Sequence, residues 1–317
     1  MTALRIDVLL TEADLAEEFL SGLERRYLPE ILFYWFPLSV RAWLDLCRGE
    51  QPYRNYSRSR HLVAKHAAEI ALRFGAGAHE VVSLGSGQGD KDLLLLQALR
   101  EKGASVRYRP VDSSQALLER AVAGAAGAGF DARGLKADVG RPRTAGALAD
   151  ADAPRLYLVL GNSIGVIDPL AFLRELRALL RPEDRLLLDG EIFEPGETLA
   201  GYDNPTNRRF AFAPLSSLGL EDGRDGDLVF GSEADPRRGG LHVVSKHFRA
   251  GRRLRVPVAG RWIEMDAGER IAMNGSYKFS RAAFLGMIRE EGAFEPLDEY
   301  RTDDRGFLMV LAAPAAR

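Results

Sequence analysis

One stretch of the sequence has the residue types and spacing of a ligand-binding turn. It runs Gly85-Ser86-Gly87-Gln88-Gly89-Asp90-Lys91, after a short apolar run and before a stretch with helical spacing. Glycines there let the backbone turn tightly and approach a ligand closely. Lys91 is unusual in the first turn of a helix, since the positive end of the helix dipole repels a cation, so it indicates a ligand or a carboxylate partner. By itself, such a turn is equally typical of plain strand–helix packing.

Polar residues also follow the next predicted strands along the chain. Asp112 ends the second strand, where a carboxylate can accept both hydroxyl protons of a ribose. Asp138 falls where a third strand should end and an adenine amino group can bind, and Gly161-Asn162 closes the fourth. Ligands of a parallel sheet bind outside the carboxyl ends of its strands, so these residues predict one crevice for a nucleoside. Helix caps and an ordinary turn are the alternatives. The candidate cofactor-binding residues are Gly85, Ser86, Gly87, Lys91, Asp112, Ser113, Asp138, Gly161 and Asn162.

Strands and helices alternate through the region that carries these residues. Short apolar runs predict strands at Glu80–Leu84, Val106–Val111, Leu156–Leu160 and Arg185–Leu188. Helical spacing predicts helices at His61–Phe74, Asp90–Leu99, Gln115–Val122 and Ala171–Leu180. Alternation of this kind implies βαβ units around a parallel sheet.

The pattern changes after about residue 195. Residues 195–275 are rich in Gly, Asp and Arg, and alternating strands are predicted at Leu241–Phe248, Leu254–Val258 and Arg261–Met265. A helix over Ser280–Glu291, with Ser280 as N-cap, then precedes a hairpin of Glu295–Tyr300 and Gly306–Ala312. A parallel sheet that ends in a helix and a hairpin is what a class I methyltransferase core requires. The predicted fold is α/β, with a Rossmann-like class I methyltransferase core over 61–195 and 276–317. A second α+β substrate domain, over 1–60 and 196–275, is formed by the N-terminus and an insertion after the fifth strand.

Composition and charge narrow the classes of partner. The chain has 317 residues, of which 46% are hydrophobic and 28% charged, and its net charge is -2. That balance gives no electrostatic footprint for nucleic acid or an anionic membrane surface, so we expect a small-molecule substrate. Cys47 is the single cysteine and the five histidines lack metal-ligand spacing, so we expect no disulfide, no metal and a cytoplasmic protein. No targeting or membrane-spanning segment is expected, and the oligomeric state stays open.

Five stretches together resemble the histidine-specific methyltransferase family, and the resemblance covers most of residues 50–315. They are Leu84-Gly85-Ser86-Gly87 with Lys91, Tyr108-Arg109-Pro110-Val111-Asp112-Ser113-Ser114, Leu160-Gly161-Asn162-Ser163-Ile164-Gly165, Ala200-Gly201-Tyr202-Asp203, and Glu269-Arg270-Ile271 followed by Ser276-Tyr277-Lys278-Phe279. The resemblance implies S-adenosyl-L-methionine as the cofactor, with Gly85, Lys91, Asp112 and Asp138 among its contacts. The best-known activity of the family is trimethylation of the histidine α-amine.

Several substrate positions depart from the family pattern. The family's Asn after Ile-Gly is Val166 here, its imidazole-contacting Glu is Asn274, and a Met beside the ring aligns with Lys246. Ser276 and Tyr202 are kept, and either Tyr53 or Tyr56 matches a further tyrosine. The resemblance thus implies a substrate site formed by Tyr56, Val166, Tyr202, Lys246, Asn274 and Ser276. Within it, Tyr202 and Ser276 are the candidate catalytic residues, holding the acceptor nitrogen by hydrogen bonds.

These departures argue against free histidine as the best substrate. A site built around hydrogen bonds discriminates strongly when they go unpaired. We therefore expect N-methylation, by direct displacement, of another small amino acid or a derived amine or imidazole, in secondary metabolism. An NAD-dependent oxidoreductase and a non-catalytic methyltransferase-like binding protein are the alternatives. The dinucleotide fingerprint requires a third glycine where Asp90 stands, which favours S-adenosylmethionine over NAD.

Overall fold

A computed structural model describes residues 4–48, 54–150 and 152–316. Its strands are β1 (Ile6–Val8), β2 (Gly77–Leu84), β3 (Ala104–Asp112), β4 (Asp131–Ala132), β5 (Gly134–Lys136), β6 (Arg155–Val159), β7 (Arg185–Glu191), β8 (Gly226–Ala234), β9 (Leu241–Ala250), β10 (Leu254–Val258), β11 (Arg261–Met265), β12 (Arg270–Phe279), β13 (Phe294–Arg301) and β14 (Phe307–Pro314). Its α-helices are α1 (Glu12–Arg25), α2 (Pro37–Arg48), α3 (Arg54–Leu72), α4 (Asp90–Glu101), α5 (Gln115–Gly127), α6 (Pro142–Ala147), α7 (Pro169–Leu179), α8 (Glu197–Tyr202), α9 (Pro205–Ser216) and α10 (Arg281–Gly286). Short 3₁₀ helices span Glu30–Tyr34 and Ser163–Val166, and a π-helical turn spans Met287–Glu291.

A nine-stranded sheet dominates the first of two compact units. Its order is β1-β5-β3-β2-β6-β7-β14-β13, with β4 paired to β3. The pairs among β1 to β7 are parallel, and β14 runs antiparallel to both β7 and β13. The apolar runs of β2 and β6 are buried on both faces, as a parallel sheet between helices requires. The predicted α/β fold, with its terminal hairpin, is confirmed.

For most of the elements that the sequence predicts, the predicted ends lie within a few residues of the observed ones. The helix predicted to start at Ser280 begins as α10, and the Ser280 side chain caps it by accepting the Ala283 N–H at 3.1 Å. Its last turn changes to a π-helix. The helix predicted from His61 starts earlier, since α3 begins at Arg54.

The chain divides into two compact units. The first contains the described residues of Met1–Leu9, Asn55–Ile192 and Phe279–Arg317, and the second those of Leu10–Arg54 and Phe193–Lys278. The boundaries of the two units differ from the predicted domain boundaries mainly at the start of the chain. The sequence predicts that residues 1–60 belong to the second domain, whereas the described residues before Leu10 lie in the first unit. There Ile6 pairs with Gly134, so β1 extends the sheet of the first unit. Three residues make too short a strand for a hydrophobic alternation to be read from the sequence.

The second unit combines a small antiparallel sheet with helices. Its three-stranded sheet has the order β12-β9-β8, and β10 and β11 form a separate hairpin. Apolar side chains from α1, the first 3₁₀ helix, α9 and the strands build one core, with Phe33 and Phe248 fully buried in it. The aromatic run at 33–36 belongs to this core, packing against Phe19 and Phe210.

Across the described residues, no helix is both long and apolar enough to cross a membrane.

Candidate functional site

The glycine-rich turn joins the end of β2 to the start of α4. Gly85, Gly87 and Gly89 all have left-handed backbones, with φ of 75°, 57° and 75°. The amides of Gly85 and Ser86 donate to the Val111 carbonyl at 2.9 and 3.1 Å, which ties the turn to the end of β3. A Cβ on Gly87 would meet no atom within 4 Å. The turn therefore presents bare backbone beside open space, as a site for a close-fitting ligand does.

Gly89 explains why a glycine at position 90 is unnecessary. A Cβ on Gly89 would lie 2.8 Å from the Ala121 Cβ, so α5 packs directly on this residue. The close approach that the third glycine of a dinucleotide fingerprint permits is thus made one residue earlier. Asp90 is free to begin α4, where the helix dipole favours a carboxylate.

Asp112 lies at the end of β3, directly against the turn. Its two carboxylate oxygens accept the N–H groups of Gly87 and Ser114, each at 2.8 Å, and 8% of the residue is exposed. Burial raises the pKa of Asp112 to about 6, although these amides and that of Ser113 pull it down. A buried carboxylate with spare lone pairs, at the edge of open space, is suited to accept hydrogen bonds from the hydroxyls of a sugar.

Asp138 follows β5 by two residues and turns back on its own loop. Its carboxylate accepts the Gly140 N–H at 3.0 Å and pairs with Arg141 Nε at 3.1 Å. Neither Asp112 nor Asp138 is a helix N-cap, because Ser114 and Arg141 hold those positions on α5 and α6. The helix-cap alternative is therefore wrong for both aspartates.

Lys91 is buried in the first turn of α4. A Cβ on Gly161 would lie only 2.5 Å from its ammonium nitrogen, so the lysine reaches the end of β6 because that residue is glycine. Burial raises the pKa of Asp189, while the nearby Lys91 ammonium lowers it. The ammonium also lies 5.6 Å from the ring centroid of Tyr56. Asp189 is therefore a carboxylate near enough to act electrostatically on Lys91, and a ligand partner for this lysine stays a prediction.

Asn162 fixes the ends of β6 and β7 to one another. Its backbone is left-handed, its N–H donates to Asp189 Oδ1 at 2.8 Å, and its Oδ1 accepts the Glu191 N–H at 3.0 Å. Only 1% of Asn162 is exposed. Asn162 therefore links the carboxyl ends of β6 and β7 by hydrogen bonds. The contact with the cofactor that the sequence predicts for it stays a prediction.

Tyr56 lies in α3, in the same unit as the turn. Its hydroxyl donates to Asp90 and accepts from Gln88 Nε2 at 3.2 Å. Tyr53, the alternative to Tyr56 in the sequence, lies outside the described residues. Val166 closes the 3₁₀ helix Ser163–Val166 and is half-buried.

A second polar cluster lies inside the other unit. Lys278 in β12 is fully buried, and its ammonium donates to Ser276 Oγ at 2.6 Å. The same ammonium lies 4.8 Å from the ring centroid of Tyr202, the last residue of α8. Both candidate catalytic residues, Tyr202 and Ser276, are therefore organised around one buried cation.

Lys246 and Glu30 complete this cluster. The Lys246 ammonium, on β9, lies 4.7 Å from the ring centroid of Phe33. Burial lowers the pKa of Lys246, with Glu30 raising it and Lys278 lowering it further. Burial raises the pKa of Glu30 to about 7. The Lys246 ammonium, a hydrogen bond from Tyr34 and the Lys278 ammonium each lower this pKa, but by less than burial raises it. Lys246, Lys278 and Glu30 are therefore close enough to act electrostatically on one another, and both ammonium groups lie against aromatic rings.

Asn274 is the polar residue of β12 without a partner. It is 5% exposed, and neither its Oδ1 nor its Nδ2 has a hydrogen-bond partner within residues 4–48, 54–150 and 152–316. Its backbone is left-handed, with φ of 53°, which asparagine tolerates better than most residues. This backbone shifts the alternation of buried side chains along β12 by one residue. Ile271 and Met273 are buried before the shift, and Asn274, Ser276 and Lys278 are buried after it. A buried amide with four unused hydrogen-bonding positions is suited to a polar ligand.

Comparison with known proteins decides between the cofactors. A family model described as "Histidine-specific methyltransferase, SAM-dependent" matches residues 15–314. The chain belongs to this family. Histidine N-alpha-methyltransferase of Mycobacterium tuberculosis (strain CDC 1551 / Oshkosh) is 28% identical over 290 residues, covering 88% of each chain. The enzyme of that name from Mycolicibacterium smegmatis (strain ATCC 700084 / mc(2)155) is 28% identical over 268 residues, covering 81% of this chain and 82% of that protein.

Two solved structures are similar to this chain at lower sequence identity. The PH0226 protein of Pyrococcus horikoshii OT3 is 12% identical, with 88% of this chain and 99% of that chain covered and a TM-score of 0.48. CalS10 of Micromonospora echinaspora, an amino pentose methyltransferase with S-adenosylmethionine bound, is 17% identical, with 83% and 94% covered and a TM-score of 0.40.

Membership of the histidine-specific methyltransferase family makes this chain an S-adenosylmethionine-dependent methyltransferase. The oxidoreductase and non-catalytic alternatives are not supported. The cofactor-binding candidates lie together in the first unit, at the carboxyl edge of its sheet. Tyr202, Lys246, Asn274 and Ser276 lie in the second unit, whereas Tyr56 and Val166 belong to the first.

Three residues of these sites were missed by the sequence analysis as candidates. Lys278 belongs to the Ser-Tyr-Lys-Phe motif, where its alternation with Tyr277 and Phe279 predicts an exposed side chain, but the residue is fully buried. Asp189 follows an apolar run in β7. This position after a run of leucines is the same pattern that identifies Asp112, so the sequence does contain a signal for it. Glu30 precedes an aromatic run and carries no pattern, so only the structure identifies it.

Proposed function

We propose that this methyltransferase transfers a methyl group to the nitrogen of a small amino acid or related amine other than free histidine. The observation that carries the proposal is Asn274, a buried amide with no hydrogen-bond partner among the residues that the structure describes. It stands at the position where the family pattern has a carboxylate. An imidazole N–H that needs a carboxylate acceptor would meet a weaker, uncharged one here. Lys246, in place of a family methionine, adds a cation that repels an imidazolium.

The first unit provides residues that fit S-adenosylmethionine. Asp112 would accept from the ribose hydroxyls, and Lys91, opposite Gly161, would pair with the methionine carboxylate. The open space beside Gly87 admits the close approach of the nucleoside. When bound, the cofactor supplies a methyl group already activated by its sulfonium. The protein then needs only to orient the acceptor and keep its nitrogen unprotonated.

The second unit provides residues that would favour a neutral acceptor. An amine attacks only through a free lone pair, and free amines are protonated at neutral pH. The ammonium groups of Lys278, which is fully buried, and Lys246, which is half-buried, oppose a further cation nearby, and this would lower the pKa of a bound amine. Ser276 Oγ accepts a hydrogen bond from Lys278, and this hydroxyl would contact the acceptor nitrogen. Tyr202 can contribute its hydroxyl in the same way.

The test is a screen of amino acids and small amines with methyl-labelled S-adenosylmethionine, with products identified by mass spectrometry. We expect label on the nitrogen of at least one acceptor and no trimethylhistidine. Free histidine is the matched negative control. Micromolar histidine binding with formation of trimethylhistidine would refute the exclusion of histidine. Label on oxygen or carbon alone would refute N-methylation.

A further inference from the structure

Asp189 is a fully buried carboxylate near the carboxyl end of β7. Its Oδ1 accepts the Asn162 N–H at 2.8 Å, and its Oδ2 accepts the hydroxyl proton of Ser59 in α3. The Gly161 N–H also donates to this carboxylate. Neutral donors satisfy its oxygens, but burying a negative charge stays costly unless a cation lies nearby.

Lys91 provides that cation. A Cβ on Gly161 would lie 2.5 Å from the Lys91 ammonium nitrogen, so the ammonium lies beside the two residues whose N–H groups donate to Asp189. Only 8% of Lys91 is exposed. Burial raises the pKa of Asp189, and the Lys91 ammonium is the strongest of the influences that lower it. The two buried charges therefore compensate one another where β6 ends.

A second buried carboxylate near Lys91 is held in a different way. Asp92, in the same turn of α4, is 1% exposed and accepts the Tyr108 hydroxyl at 2.6 Å. Burial raises the pKa of Asp92, and hydrogen bonds from Tyr108 and Ser83 lower it more than Lys91 does. Neutral donors on β3 and β2 thus stabilise Asp92, whereas Asp189 depends chiefly on the charge of Lys91.

Asp189 also fixes the backbone against which the ammonium lies. Gly161 and Asn162 are two left-handed residues in succession, with φ of 83° and 64°. Asparagine adopts such a backbone at some cost, and the hydrogen bonds to Asp189 stabilise it. Ser59, itself fully buried, holds the carboxylate from the other side. Asp189 therefore influences both the charge around Lys91 and the position of its neighbours.

We propose that Asp189 is a positioning residue for the cofactor, which holds the Lys91 ammonium at the end of β6, ready to pair with the methionine carboxylate of S-adenosylmethionine. An ammonium that is ordered before binding loses little freedom on binding, and this strengthens the pair. The inference rests on the cofactor placement in the proposed function. It concerns the amino-acid end of the cofactor and leaves the nucleoside end unaffected.

Two ligands separate this role from a general loss of structure. S-adenosylhomocysteine carries the amino-acid part, whereas 5′-methylthioadenosine carries the same nucleoside and sulfur without it. Asp189→Asn keeps an acceptor for the Asn162 N–H but removes the charge. Calorimetry on the full chain should show a roughly tenfold or greater rise in the Kd of S-adenosylhomocysteine, with the Kd of 5′-methylthioadenosine within about twofold of wild type. Tighter binding of S-adenosylhomocysteine would show that Asp189 competes with the ligand, and would overturn the inference. Equal losses for both ligands would also overturn it.

A double variant tests whether Asp189 acts through Lys91. Lys91→Met alone should weaken S-adenosylhomocysteine selectively. Adding Asp189→Asn to it should raise that Kd by no more than about twofold further, because residues that act as a unit are not additive. A second loss as large as that of Asp189→Asn alone would overturn the inference.

Asp184, directly before β7, offers a matched control. It is also fully buried and accepts the backbone N–H groups of Arg155 and Arg181, each at 2.8 Å. Asp184→Asn should lower the free energy of unfolding but leave both Kd values unchanged, and a selective loss like that of Asp189→Asn would overturn the inference. If Asp189→Asn fails to fold, as circular dichroism would show, Ser59→Ala replaces it, with an expected rise of about threefold confined to S-adenosylhomocysteine.

Failure of this inference is distinguishable from failure of the cofactor placement. A selective loss in Lys91→Met without one in Asp189→Asn would keep the placement and refute the role of Asp189. Unchanged affinity in both variants would refute the placement of the methionine carboxylate at Lys91, and the inference with it.

Discussion

Replacing Asp112 by asparagine should have opposite effects on two properties. It should remove the destabilisation of the fold that the ionised carboxylate causes, and it should weaken binding of the cofactor. Its pKa rises from 3.8 in an ordinary setting to about 6, chiefly through burial. The folded protein therefore holds the proton more tightly than the unfolded chain, and ionisation destabilises the fold. A shift of about 2 pKa units corresponds to roughly 3 kcal/mol. That penalty is absent below pH 4, grows as the pH rises, and is complete above about pH 6.

The assay is urea unfolding of wild type and Asp112→Asn between pH 4 and pH 7. The free energy of unfolding of the wild type should fall by roughly 3 kcal/mol relative to that of the variant over this interval. Loss of one amide hydrogen bond in the variant shifts the whole curve by a constant, and so leaves this difference unchanged. Parallel pH profiles for the two proteins would refute the burial argument.

The same variant should bind S-adenosylhomocysteine more weakly. Loss of charged acceptors for the ribose hydroxyls should cost about 1–3 kcal/mol, which is roughly a 5- to 160-fold rise in Kd. Asp131→Asn, on the exposed carboxylate of β4, is the control and should leave the Kd unchanged. An unaltered Kd in Asp112→Asn would remove this residue from the cofactor site.

Three other predictions concern the second unit and the glycine-rich turn. Asn274→Ala should raise the KM for the acceptor at least tenfold but change the free energy of unfolding by no more than about 1 kcal/mol, because the lost amide has no hydrogen-bond partner in the described part of the chain. A large loss of stability with unchanged KM would contradict this. The free energy of unfolding should fall more steeply in the wild type than in Glu30→Gln as the pH rises from about 4.5 to about 7, because burial raises the pKa of Glu30 to about 7 and its ionised form destabilises the fold. Urea unfolding at each pH checks this, and identical pH profiles for the two proteins would contradict it. Gly89→Ala should lower the free energy of unfolding in urea by about 2–4 kcal/mol, because it combines left-handed strain with a 2.8 Å approach to Ala121. Gly87→Ala, which adds only the strain, should lower it by about 1 kcal/mol. Equal losses in the two variants would show that α5 does not pack tightly on Gly89.

The fold and the edge of its sheet could be predicted because local patterns determine them. Asp112 was found from its place after an apolar run, since strands of a parallel sheet bring their carboxyl ends together. Lys91 stands out through its conflict with the helix dipole, whereas Asp189, which lies near it, is nearly a hundred residues further along. The packing of α5 on Gly89 depends on Ala121, which no local pattern indicates.

The second cluster was only partly predictable because its contacts join distant parts of the chain. Glu30 and Lys246 are separated by more than two hundred residues, and neither stands in a periodic pattern that predicts burial beside the other. Strand alternation failed to predict that Lys278 is buried, since the left-handed backbone at Asn274 shifts the alternation by one residue. The choice of Asn274 and Lys246 as substrate candidates came from the family resemblance rather than from spacing.

The most direct test is a crystal structure of the full chain grown with S-adenosylhomocysteine. We predict that the ribose hydroxyls contact the Asp112 carboxylate, that the amino-acid carboxylate pairs with Lys91, and that the nucleoside lies against Gly85–Gly89. A nucleoside bound elsewhere, with this turn filled by side chains of the protein itself, would contradict the account.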